Sequence, residues 1–182
     1  MNRIILTTLL FVFLGIGKSN AQMAAAQSVG WNIDHTIQVP VHRDSVWTLL
    51  KDYNSVSKLS NGYVQSIVHK DDIMPILRET TFKEGTKREE LLSQLDEPNR
   101  FLVFKIKDTS LPEGVQSAQI AVFTKIVDDN TCEITWKGIV KGKKEAETKY
   151  IEVLKAEIAQ YEIGFKNYLQ GQPKVIKAMR MQ

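Results

Sequence analysis

The side chains best suited to acid–base or nucleophilic chemistry near neutral pH are three histidines, His35, His42 and His69, and one cysteine, Cys132. No two histidines stand four residues apart and none neighbours the cysteine, so the spacing offers no metal site and calls for no cofactor. Gly62, Gly85 and Gly114 are isolated turn residues rather than a phosphate loop. A Gly-x-Ser-x-Gly elbow for a serine nucleophile is absent. What remains are single polar residues set among apolar ones. His35 falls between Ile33 and Ile37 in an alternating stretch, which turns it inward, where a neutral imidazole could bind a polar group of a ligand or move a proton. The plainer reading is a hydrogen-bonded core histidine. Tyr161 stands on the apolar stripe of a helix, and a buried hydroxyl there needs a partner or a ligand.

The elements that must position these residues follow from periodicity. Ile33, His35, Ile37, Val39 and Val41, with Trp31 before them, occupy every second position of a half-buried strand. A helix is predicted from His42 to Tyr53, with Asp44 at its start and Val46, Trp47, Leu49 and Leu50 on its apolar face. Asn54 reads as the cap of a second, short helix that Asn61-Gly62 ends. Six strand candidates follow: Tyr63–His69, Ile76–Phe82, Arg88–Leu95, Phe101–Lys107, Ser117–Val127 and Cys132–Val140. The short breaks between them suit hairpins and hence an antiparallel meander. Cys132, Ile134 and Trp136 share one face, as do Ala118, Ile120, Val122 and Ile126; the phase between residues 63 and 107 is not legible. Glu145 to Gln170 is a long helix whose Ile151, Leu154, Ile158, Tyr161, Phe165 and Tyr168 form one stripe, with Glu145–Lys149 and Glu162–Lys166 as favourable i,i+4 pairs. The order predicts an α+β fold, a seven-stranded curved antiparallel sheet wrapped around a long C-terminal helix, with two short helices after strand 1.

Composition sets the class and the compartment. The 182 residues are 25% charged and 43% hydrophobic, as in an ordinary globular domain. Lys and Arg number 24 and Asp and Glu 21, and without Arg3 and Lys18 the balance is 22 to 21, which argues against nucleic-acid binding through a general basic field. Arg3, the apolar run Ile4 to Ile16 and the small residues Ser19 and Ala21 read as a signal peptide over residues 1–21, cut after Ala21. The run is shorter than the roughly 20 apolar residues of a membrane span, and no cysteine stands at the cut for acylation. The expectation is an exported, periplasmic chain without a stable membrane anchor. It has a flexible lead-in over 22–29, a domain over 30–171 and a basic tail over 172–182. A lone Cys132 allows no disulfide within the chain and suits an oxidising setting.

Certain segments carry a family resemblance. Val39-Pro40-Val41 precedes Val46-Trp47 and Leu50-Lys51-Asp52-Tyr53; then come Arg88-Glu89-Glu90-Leu91-Leu92 with Leu95-Asp96, Ser110-Leu111-Pro112, and Ile134-Thr135-Trp136-Lys137-Gly138. In this order they resemble the SRPBCC or START-like helix-grip superfamily, and look closest to its bacterial polyketide cyclase-like proteins. The resemblance runs from about Trp31 to Leu169 and implies binding of a small hydrophobic molecule or lipid in a central cavity. Some relatives catalyse cyclisation or dehydration there, so a cyclase or dehydratase acting on a polyketide-like or aromatic molecule is the alternative. Ala118 departs from the family, standing where an aromatic residue is usual.

The resemblance also implies site residues. Glu90 matches an inward acidic residue that orders polar contacts to ligand in the superfamily's abscisic acid receptors; the competing reading is a solvated strand glutamate. Arg78 could pair with Glu90 if both point inward, or lie outside as a surface arginine. His35 and Glu90 are the catalytic candidates should there be chemistry. Phe104, Ile120, Trp136, Leu154, Ile158, Tyr161 and Phe165 are expected to line the cavity or else to be plain core. Glu84 and Gly85, and Ser110, Leu111 and Pro112, are placed at its mouth as lids. A third reading is a periplasmic accessory protein that docks a partner through an outer patch at Phe101 and Val103.

Overall fold

The computed structural model describes residues 30–170. The expected signal peptide, the lead-in 22–29 and the tail 172–182 lie outside the described residues. Strand β1 (Ile33–Val39) leads into helices α1 (Arg43–Lys51) and α2 (Tyr53–Leu59). Strands β2 (Val64–His69), β3 (Ile76–Phe82), β4 (Lys87–Asp96), β5 (Phe101–Ile106), β6 (Val115–Asp128) and β7 (Thr131–Gly142) follow, and then helix α3 (Lys144–Gln170). The sheet has seven strands in the order β1-β7-β6-β5-β4-β3-β2, every neighbouring pair antiparallel. Successive strands from β2 to β7 are neighbours, as short breaks require, and β1 closes the far edge against β7.

Local chemistry sets the element ends. His42 caps α1, its Nδ1 accepting from the Asp44 N–H at 3.2 Å, and Asp44 itself lies in the first turn, where its carboxylate suits the dipole. Helix α2 starts at Tyr53, so Asn54 is within it rather than capping it; the Asp52 carbonyl receives the N–H groups of Ser55 and Val56 at 2.9 and 3.2 Å. Asn61 and Gly62 both adopt positive φ, 54° and 75°, and turn the chain from α2 into β2. Both i,i+4 pairs on α3 form, Lys149 to Glu145 at 2.7 Å and Lys166 to Glu162.

The concave face of the sheet meets α3. Ile33, Ile37 and Val39 from β1, Cys132, Ile134, Trp136 and Val140 from β7, and Leu154, Ile158 and Phe165 from α3 are all buried. Trp136 and Phe165 meet edge to face with ring centroids 6.0 Å apart. Burial pushes the Cys132 thiol up to about 11. Register shifts at Leu92/Gln94 in β4 and at Val115/Ser117 and Ile126/Asp128 in β6 mark bulges of the kind that bend a sheet around a helix. In its C-terminal third, α3 lies against the end of α2 at Gly164, where a Cβ would stand 2.0 Å from the Leu59 carbonyl oxygen.

Two expectations of phase fail. Strand β1 begins at Ile33, and Trp31 precedes it with its ring against Phe123, on the opposite face of the sheet from Ile33 and Ile37. Ile126 is 44% exposed, because it sits at the bulged end of β6, outside the core that α3 covers.

Candidate functional site

Between α2, the middle of α3 and strands β3 to β7 lies a cavity of about 60 Å³. Its apolar walls include Leu50, Val56 and Leu59 from the helical pair, Leu102, Phe104 and Ile106 from β5, Ile120 and Val122 from β6, Trp136 from β7, and Ile158 and Phe165 from α3. Tyr161 lines it too, and so do four charged residues: Arg78, Arg88, Glu90 and Glu157. All four are buried.

Sheet geometry assembles the charges. Arg78 on β3 stands directly opposite Glu90 on β4, and Arg88 precedes Glu90 by two on the same strand, so all three project from one face. Arg78 Nε donates to Glu90 Oε2 at 2.6 Å, and its Nη2 lies 2.5 Å from the same oxygen. Arg88 Nε donates to Glu90 Oε1 at 2.6 Å. The other edge of Arg88 reaches α3, where Nη1 and Nη2 donate to the two oxygens of Glu157, each at 2.7 Å. The bidentate Arg88–Glu157 pair thus ties the sheet to the helix it wraps. Aromatic faces cover both guanidiniums: Arg78 Cζ lies 3.4 Å from the Phe104 ring centroid and Arg88 Cζ 4.8 Å from that of Phe82.

The four formal charges cancel. Burial alone would push the Glu90 carboxyl up, yet Arg78 and Arg88 beside it outweigh that and hold it down at about 2. Burial likewise works against the Arg88 cation, and Glu157 and then Glu90 reverse the effect, so Arg88 stays charged. The Tyr161 phenol is pushed far up by burial and then by Glu157, and is protonated at any physiological pH. One donor is left over. Arg78 Nη1 is buried and has no hydrogen-bond partner among the described residues.

Of the residues expected here, Arg78, Glu90, Phe104, Ile120, Trp136, Ile158, Tyr161 and Phe165 do line one cavity. Arg78 faces inward, and the surface reading of both Arg78 and Glu90 falls with their burial. Leu154 is fully buried in the core but does not line the cavity. His35 also stays outside it: its Nε2 meets Glu162 Oε2 at 2.7 Å, its ring is 6.2 Å from that of Trp136, and its side chain is 38% exposed at the rim between β1 and α3. The placement at the mouth is not reproduced in the lining: Glu84, Gly85, Ser110, Leu111 and Pro112 are not among the cavity residues. Ser110 Oγ instead accepts from the Glu89 N–H at 2.9 Å, and Leu111 packs against the core. Phe101 of the outer patch stacks on Phe123, centroids 5.3 Å apart.

Arg88 and Glu157 are site residues that sequence reading missed. A signal for Glu157 exists, since it sits three residues after Leu154 and four before Tyr161, inside the apolar stripe. A carboxylate in such a stripe demands a buried cation, and Arg88 is that cation.

Comparison with solved structures places this architecture. The protein XoxI from Bacillus cereus superposes with a TM-score of 0.65 over 76% of this chain and 95% of its own, at 16% identity. The chain has the helix-grip, SRPBCC-like fold. Norcoclaurine synthase from Thalictrum flavum, in complex with dopamine and hydroxybenzaldehyde, matches this helix-grip chain with a TM-score of 0.62 at 18% identity, covering 78% of it and 88% of the synthase. The di-domain ARO/CYC BexL gives a TM-score of 0.67 at 11% identity over 76% of this chain, which spans 46% of that longer protein. At these identities the likeness is one of fold. No family model matches the sequence, and no curated protein matches it.

Proposed function

We propose that this helix-grip protein binds a small hydrophobic molecule, or the apolar part of a lipid, in the cavity between its sheet and α3, and that it does so in the periplasm after removal of residues 1–21. The observation that carries the reading is the cavity itself: apolar walls around a space between sheet and helix, with polar groups gathered at one side. Each square ångström of apolar ligand surface buried there contributes about 25 cal/mol. A volume of about 60 Å³ admits only a few non-hydrogen atoms, so a larger ligand enters as lining side chains move aside. No described helix is long and apolar enough to cross a membrane.

The cyclase or dehydratase alternative has less to stand on. Such chemistry needs a group that exchanges a proton near neutral pH, and Glu90 at about 2 and Tyr161, far above its ordinary range, are both poorly matched to that task. A docking role through Phe101 and Val103 has less still, since Phe101 is half-covered by Phe123.

The test is uptake. Protein purified gently from the periplasm and examined by native mass spectrometry is expected to carry a small molecule, or to take up an apolar fluorescent dye that decane displaces. A chain that arrives empty and takes up no dye overturns the reading.

A further inference from the structure

The cavity's polar side carries information about its occupant. Arg78 contributes Nε and Nη2 to Glu90 and lays its plane on Phe104, so three of its four sides are spoken for. Nη1 remains, buried and without an acceptor among the described residues, on a residue that lines the cavity and is 6% exposed. A buried donor of this kind is costly unless something accepts from it. Every carboxylate oxygen nearby is already engaged, Glu90 by Arg78 and Arg88 and Glu157 by both outer nitrogens of Arg88. No carboxylate of the network is left to accept from it, and an acceptor carried by an occupant of the cavity would satisfy it.

Charge decides what kind of acceptor. Arg78 and Arg88 are balanced by Glu90 and Glu157, so the site has no net charge to offer an anion. An incoming carboxylate would place an uncompensated negative charge among Leu102, Ile120, Trp136 and Phe165. A carbonyl oxygen brings acceptor lone pairs and no charge. Resting on the ligand-binding reading above, we infer that the occupant is an uncharged, largely apolar molecule bearing a carbonyl oxygen (a ketone, aldehyde, ester or quinone), and that this oxygen accepts from Arg78 Nη1. The Tyr161 hydroxyl, protonated and lining the same cavity, is a second donor for it.

Three phenyl-bearing probes separate this from simple apolar uptake: ethylbenzene, acetophenone and benzoate, titrated into the full mature chain at pH 7 by calorimetry or dye displacement. Acetophenone is expected to bind at least about tenfold more tightly than ethylbenzene, as an added charge-assisted hydrogen bond requires, and more tightly than benzoate. Two variants test the assignment to Arg78. Arg78→Lys keeps the charge but not the Nη1 group, and the double variant Arg78→Met/Glu90→Met removes one balanced pair and leaves Arg88–Glu157 intact. In either one, provided circular dichroism shows it folded, the preference for the ketone over the hydrocarbon is expected to vanish. Equal binding of ethylbenzene and acetophenone, or tightest binding of benzoate, overturns the carbonyl inference while leaving the ligand-binding reading in place. A ketone preference that survives in a folded variant overturns the role of Arg78. Uptake of none of the three overturns both.

Discussion

Replacing Glu157 by leucine tests how the sheet and α3 are held together. Glu157 is 3% exposed and accepts two charge-assisted hydrogen bonds from Arg88, both at 2.7 Å. Without it, two guanidiniums share the single carboxylate of Glu90, and the cavity wall holds one uncompensated positive charge. Breaking a buried pair by removing one partner costs about 3–5 kcal/mol. In a chain of this size each kcal/mol lowers the melting temperature by roughly 2–4 °C, so Glu157→Leu is expected to melt on the order of 10 °C lower. The double variant Arg88→Met/Glu157→Leu takes out both charges of the pair and leaves Arg78–Glu90 balanced. It is expected to recover most of the loss, because well-packed apolar residues often replace a buried pair at little cost. Urea unfolding followed by tryptophan fluorescence and by circular dichroism gives the four corners of the cycle, Arg88→Met included. A coupling energy of at least ~2 kcal/mol is expected. A Glu157→Leu loss below about 1 kcal/mol, or a double variant as unstable as the two single losses added, would refute the picture of a mutually compensated buried network.

Acid should act on the same network. Because the Glu90 carboxyl is held at about 2, below its ordinary 4.5, its contribution to stability is complete above about 4.5 and is lost as the pH falls toward 2. The amount at stake is about 3 kcal/mol. Urea midpoints measured from pH 6 down to pH 2.5 should therefore fall, and should fall less steeply in Glu90→Gln, which starts lower; parallel curves would contradict the assignment. At the α2–α3 contact, Gly164→Ala would put a methyl group 2.0 Å from the Leu59 carbonyl oxygen and 2.6 Å from the Asn61 nitrogen, both backbone atoms. Overpacking of about 1–3 kcal/mol is expected to outweigh alanine's better helix propensity, so a raised melting temperature would show that the helices separate freely.

The sequence by itself determined the order of elements and most of the fold. Repeats of two in β1 and β7 and of three and four in α3 report directly which residues face the core, because apolar burial dominates there. The same signal carried Ile120, Trp136, Ile158, Tyr161 and Phe165 into one cavity wall. It failed on β3 and β4 for a physical reason: their inward positions hold Arg78, Thr80, Arg88 and Glu90, so the alternation that marks a buried face is inverted where the polar site is built. A charged residue reads as exposed until its partner is known, and these partners come from strand register and from a helix 69 residues away, between Arg88 and Glu157. His35 shows the reverse case, since correct alternation turned it toward α3, yet only the packing of the helix decided that it meets Glu162 at the rim and not the cavity. The space left between sheet and helix, and the one guanidinium nitrogen beside it without an acceptor, exist only where curvature, register and helix placement come together, and none of these is a property of any local stretch of chain.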